Sequence, residues 1–260
     1  MQQNWILSMG PAVLVMGTLM GALPTTSGDV NRKEQTGAPE VAKAVALLER
    51  AEATYDRAEL QQAIDSFDRL TKQEATNARH FYYLGRAYFP MINLYDYQGD
   101  VAMAQKVGEQ GMEYVRTAIE LDEKGNPDAY RLLGDYYGRL SGYQGIFGRM
   151  RYGGRSMKHH TKAQEMDPNS MLTVIGVGTD KLFAPSTFGG DVNEAIALFT
   201  KAVEMEPSSP LGHVWLGRAY VKVKKHDLAR RHFEKALALE PRSAFARNEY
   251  ERATRDMAAN

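Results

Sequence analysis

Two short patterns alternate along the chain, and together they restrict what it can fold into more than any other feature. The first is a Leu-Gly step with a tyrosine three residues after the glycine: Leu84-Gly85 with Tyr88, Leu133-Gly134 with Tyr137, and Leu216-Gly217 with Tyr220. The second is an alanine followed five residues later by the proline of an acid–proline pair: Ala163 to Pro168, Ala202 to Pro207, and Ala236 to Pro241. On a helix, Leu216 and Tyr220 fall on one face, as do Ala229, Phe233 and Ala236. Gly217 and Ala229 carry little or no side chain, so two such helices approach closely while Tyr220 and Phe233 fill the space beside them. Pro241 then ends the second helix, because it lacks an amide hydrogen and clashes with the preceding turn. The alternation therefore reads as a helical hairpin, repeated, each copy burying its apolar face against the next. No alternating strand pattern of useful length interrupts it, and the expected fold class is all-α.

The 34-residue unit 210–243 resembles the tetratricopeptide repeat (TPR). Leu216, Gly217 and Tyr220 stand at that repeat's positions 7, 8 and 11, and Ala229, Phe233, Ala236 and Pro241 at positions 20, 24, 27 and 32. His213 departs from it, standing where the family often has tryptophan. In the unit 176–209, Ala195, Phe199, Ala202 and Pro207 match the second helix. Its first helix, from about Ser170 to Phe183, lacks Leu-Gly and stops at Ala184-Pro185. The unit beginning near Ala78 carries about 14 extra residues before its second helix near Gly111–Leu121, and the unit beginning near Pro127 about 10 around Gly142–Gly154. Val41–Leu70 supplies a degenerate pair with Ala63 and Phe67 on its second helix, and 244–257 reads as a polar capping helix. The resemblance implies a right-handed superhelical solenoid of TPR hairpins with irregular insertions over 39–260.

Trp5 to Leu23 is an apolar run, and no Asp, Glu, Lys or Arg precedes Asp29. Residues 1–28 read as a signal peptide, the alternative being a retained membrane anchor, with 29–38 as a polar linker and Pro39 in the first turn of a helix. The expected location is periplasmic or secreted, or else membrane-anchored with the solenoid outside the cytoplasm. Without cysteine there is no site for a lipid-modified cysteine. The string Ala184-Pro185-Ser186-Thr187-Phe188-Gly189-Gly190-Asp191 resembles an interrepeat turn of exported bacterial TPR proteins, including some linked to TRAP-type transporters.

The absence of cysteine also removes disulfides, thiolate nucleophiles and thiolate metal sites. With 32 Lys+Arg against 32 Asp+Glu, the chain has no excess positive charge to neutralise phosphates, and nucleic acid is not an expected partner. That balance is uneven along the chain: residues 211–260 carry 11 Lys+Arg and 6 Asp+Glu. The adjacent His159 and His160 point about 100° apart on a helix and cannot clamp one metal. The six histidines read as solvated helix surface, with no metal site, no cofactor and no catalytic set. Gly138–Gly154 holds six glycines with Arg139, Arg149, Arg151 and Arg155. Without a Gly-Lys-Ser/Thr step or a preceding strand it reads as a structural insertion; a phosphate cradle and an exposed recognition loop are the alternatives.

The TPR resemblance implies a concave groove lined by the first helix of each hairpin. Carried over, its positions are Tyr82, Arg86 and Phe89, then Arg131, Asp135 and Arg139, then Val214, Arg218, Val221 and Lys222. Such an amphipathic groove holds a protein or peptide segment, and the expected function is a non-catalytic scaffold. The alternative is a hydrophobic small-molecule binder accessory to a transporter, suggested by 14 Tyr, 9 Phe and 13 Met. Membrane contact is expected only through residues 5–23, and only where that segment is uncleaved.

Overall fold

Helix starts are set by side chains that accept hydrogen bonds from otherwise unpaired amides. Asp56 accepts from the Glu59 amide, Asn77 from Arg79, Asp100 from Met103, Asn126 from Asp128 and Ala129, and Asp191 from Asn193 and Glu194. Each satisfies a donor that the helix leaves orphaned. Pro127 and Pro210 occupy first turns, where a missing N–H costs nothing. In the computed structural model, which describes residues 39–143 and 145–258, the helices are α1 (Pro39–Thr54), α2 (Arg57–Gln73), α3 (Ala78–Tyr97), α4 (Val101–Leu121) and α5 (Pro127–Ser141). A short α6 (Gly145–Gly148) and a π-helical turn (Arg149–Gly153) lead into α7 (Gly154–Met166). Then come α8 (Met171–Phe183), a 3₁₀ turn (Ser186–Phe188), α9 (Val192–Met205), α10 (Pro210–Lys222), α11 (His226–Leu239) and α12 (Ala244–Ala258). The segments 1–28 and 29–38, read above as leader and linker, lie outside the described residues.

The helices pair as α1–α2, α3–α4, α5–α7, α8–α9 and α10–α11, with α12 unpaired at the end. This is the all-α TPR solenoid that the repeats imply. The pairing is as close as the Leu-Gly step predicts: a Cβ on Gly217 would lie 2.8 Å from the Phe233 ring. Three apolar cores follow one another, under the first three hairpins, under α8–α10, and between α10, α11 and α12. The extra residues of the second hairpin form no loop. They lengthen its helices, α3 having 20 residues and α4 21, against 13 and 14 for α10 and α11. Pro90 sits inside α3, removing one helical hydrogen bond without ending the helix. Among the described residues no helix is long and apolar enough to cross a membrane.

The first helices of successive hairpins form an inner layer. α1 touches α3, α3 touches α5, α5 touches α8, and α8 touches α10; α10 touches α12, and α12 returns to α1. The layer thus closes on itself. At the closure Tyr97 Oη donates to Glu249 Oε1 at 2.8 Å, and Arg252 donates to Asp96 at 2.6 Å. Arg218 holds Asp256 at 3.0 Å and lies 3.3 Å from Glu249. The capping helix is therefore also a clasp between the ends of the solenoid.

Candidate functional site on the inner face

Most of the cations assigned to the groove are neutralised within the chain. Arg86 Nε donates to Glu52 at 2.8 Å in a two-pronged pair. Arg131 pairs with Asp135, one helical turn on. Arg139 donates to the Asn93 amide oxygen and lies 3.8 Å from Asp96. Burial works against the Arg86 charge, and Glu52 outweighs it, so the guanidinium stays ionised. Tyr82 is buried, and Phe89 stands edge-on to Tyr136 with centroids 5.1 Å apart. Half-buried charges of this kind are largely withdrawn from water and are stabilised by pairing, so this stretch of the inner face is a polar spine serving the solenoid itself. Val214 lies in the core between α10, α11 and α12.

At the centre of the spine is a residue placed above on solvated surface. His160, on α7, is 1% exposed. It occupies the space that Gly134 on α5 and Gly176 on α8 leave empty: a Cβ on Gly176 would come 2.8 Å from the imidazole, and one on Gly134 would run into it. Nδ1 lies 2.7 Å from Asp180 and Nε2 3.1 Å from Asp135. Ionised carboxylates only accept hydrogen bonds, so both ring nitrogens donate and the ring is an imidazolium. Burial alone pushes its pKa down; the hydrogen bonds to Asp135 and Asp180 overcome that and raise it to about 9. Burial likewise works to raise the Asp135 carboxyl, but Arg131 and then His160 hold it below the ordinary range. Ser156 Oγ lies 2.6 Å from Asp180 Oδ1, steadying that carboxylate. The two carboxylates sit at opposite ring nitrogens and share no point at which a cation could meet both together with the ring. The surface reading also fails at His80 and His213, which are buried, the latter 3.0 Å from His232.

The last groove residues behave differently. Arg218, Val221 and Lys222 line a cleft of about 220 Å³ together with Leu182, Phe183, Lys224 and Asp256, between α8, α10 and α12. Phe183 is 53% exposed there. Lys222 Nζ donates to the Leu182 carbonyl at 3.0 Å and lies 5.6 Å from the Phe183 ring. Burial, then Arg218, lowers its pKa. One donor of the ammonium is thereby used and its position fixed. Lys224 and Phe183 were not identified from sequence; the only signal for either was its place at the end of a first helix.

The fold and this inner layer define a tetratricopeptide-repeat protein, a class that serves as a scaffold for protein–protein interaction. A tetratricopeptide model matches residues 189–253. The model of another family, regulator of microtubule dynamics protein 1-3, matches residues 47–179, and the chain belongs to that family. No curated protein matches the sequence. Among solved structures, a thermophilic TPR protein of Thermus thermophilus is 19% identical, over 81% of this chain and 98% of that one, with a TM-score of 0.55. MamA from Desulfovibrio magneticus RS-1 is 16% identical over 80% of this chain and 98% of that one, with a TM-score of 0.41. The first likeness is one of fold.

Proposed function

We propose that the chain is a non-catalytic scaffold that captures an acidic segment of a protein partner in the cleft between α8, α10 and α12. The observation that carries this reading is the contrast within the inner face. From Arg86 to Arg139 the cations are matched by the chain's own carboxylates, as Arg218 is by Asp256 and Glu249, whereas Lys222 and Lys224 line the cleft beside an exposed Phe183 and, among the described residues, form no ion pair with a carboxylate. A segment with one or two carboxylates and a neighbouring apolar side chain complements that lining in charge and shape. The apolar run Trp5–Leu23 supports export or anchoring, and with it a site of action in the periplasm or otherwise outside the cytoplasm.

The test is affinity capture from extracts of the source cell with the native chain, the Lys222→Glu/Lys224→Glu double variant, and a Lys106→Glu control on α4. Lys106, Lys222 and Lys224 all reach solvent, so folding is preserved. A coupling of about 1.5 kcal/mol or more per close charge pair predicts that the double variant retains its partner at least about tenfold less well. Equal retention by the native chain and the double variant refutes the cleft as the capture site.

A further inference from the structure

The segment around α6 and the π-helical turn is not absorbed by the inner-face reading. No Asp or Glu lies between Asp135 and Glu165, whereas Arg139, Arg149, Arg151, Arg155, Lys158 and Lys162 do. Arg139 turns inward to the spine; the other five reach solvent, and among the described residues none of them forms an ion pair with a carboxylate. Between these cations stand the two most exposed large apolar side chains described, Phe147 at 77% and Met150 at 76%. Gly145, Gly153 and Gly154 have open space where a Cβ would point, so the segment is not a close-packed connection.

Beneath it the surface is ordered by a pile of rings. Tyr130 stacks on His159 at 5.9 Å, His159 on Tyr137 at 5.4 Å, and Tyr137 on Tyr152 at 5.9 Å. Arg155 lies over Tyr137 at 5.8 Å and Arg151 over Tyr152 at 5.2 Å. The guanidiniums are thus held along a rigid aromatic edge with their donors available. An open cleft of about 650 Å³ adjoins, lined by Lys158, Lys162 and Met157, with one carboxylate, Glu165. Met157 also meets the turn at Gly189, next to Phe188, which is 71% exposed.

We propose that this face, with Phe147 and Met150 as its apolar tips and Arg149, Arg151, Arg155 and Lys158 around them, docks on an anionic lipid bilayer. The chemistry separates this occupant from the one assigned to the inner cleft. Isolated apolar tips ringed by cations suit an interface in which side chains enter the acyl boundary while guanidiniums stay at the level of the phosphates. A folded acidic protein would instead need apolar surface shaped to Phe147 and Met150, which project singly. The apolar stretch Trp5–Leu23 has the pattern of a leader or membrane anchor, a sequence observation independent of this face.

The experiment is vesicle flotation with residues 35–260. These form a compact unit containing every core described above, and they lack the apolar stretch that would bind vesicles by itself. The probes are phosphatidylcholine vesicles, phosphatidylcholine–phosphatidylglycerol vesicles and soluble polyglutamate. We expect selective binding to the anionic vesicles. At about a fivefold contribution per basic residue, Arg149→Glu/Arg151→Glu/Arg155→Glu lowers that binding at least about a hundredfold. Phe147→Asp/Met150→Asp lowers it at least about tenfold with the basic residues intact. All five positions lie at the surface, and unchanged circular dichroism confirms folding. Absence of anionic-vesicle binding, or binding that survives either variant, overturns the proposal. So does polyglutamate binding matched by vesicle binding that ignores Phe147→Asp/Met150→Asp, which assigns the face to an acidic protein instead.

Discussion

The buried His160 makes stability depend on pH with a sign opposite to that of an ordinary buried histidine. Its pKa is about 9 when folded and near 6.5 unfolded. A raised pKa means that the native state binds the proton more tightly. The stabilisation is complete below about pH 6.5 and is lost as pH rises through about 9. The whole difference corresponds to on the order of 3 kcal/mol, of which about 2 kcal/mol disappears between about pH 7.5 and 9.5. This window is clean for histidine. Burial lowers the pKa of His159, to about 4, and those of His213 and His232, so these are already neutral in both states there. Urea unfolding at successive pH values reads the loss as a falling midpoint at constant slope. In His160→Gln, which cannot titrate, stability is lower near neutrality and flat across the window. Native-chain stability that stays level or rises between about pH 7.5 and 9.5, or a variant that falls in parallel, refutes the imidazolium assignment.

Further expectations follow from the packing. Gly134→Ala drives a methyl into an imidazole pinned by two carboxylates, which costs about 1–3 kcal/mol, whereas Gly153→Ala meets nothing within 4 Å and is neutral or stabilising; thermal unfolding of the pair separates them. Arg252→Gln removes the ionic hydrogen bond to Asp96 and costs about 1.5–3 kcal/mol, seen as roughly ten- to hundredfold faster amide exchange along α12 with little change in α3's centre.

What was legible in the sequence is what repeats locally. Leu216, Gly217 and Tyr220, with Ala229 and Phe233, state a hairpin within a few turns of helix, because the packing partner lies in the same unit. Pro207 and Pro241 state where helices stop. The inner spine was not legible, because its partners are far apart in the chain: Arg86 with Glu52, His160 with Asp135 and Asp180, Tyr97 with Glu249 and Arg252 with Asp96. Burial of His160 needs two glycines on two different helices to face the same point. The signal present was Gly134 followed at once by Asp135, and Gly176 one helical turn before Asp180; only the superposition of α5, α7 and α8 gives those spacings meaning. Groove positions taken from the repeat fall on the first helices of the hairpins, but a repeat pattern cannot show how many of those charges the chain uses on itself. Likewise, the residues added to the second hairpin read as an insertion because a repeat count registers length, whereas helices absorb length by adding turns.

The central claim is that the cleft between α8, α10 and α12 is where a partner binds. A photo-crosslinking residue placed at the exposed Phe183, inside the cleft, and another at Lys106, on the outer helix α4, test it most directly in cells making the full chain. The account predicts a protein adduct from position 183 that disappears with Lys222→Glu/Lys224→Glu, and none of the same mass from position 106. An adduct from position 106 alone, or one at position 183 indifferent to those two lysines, contradicts it.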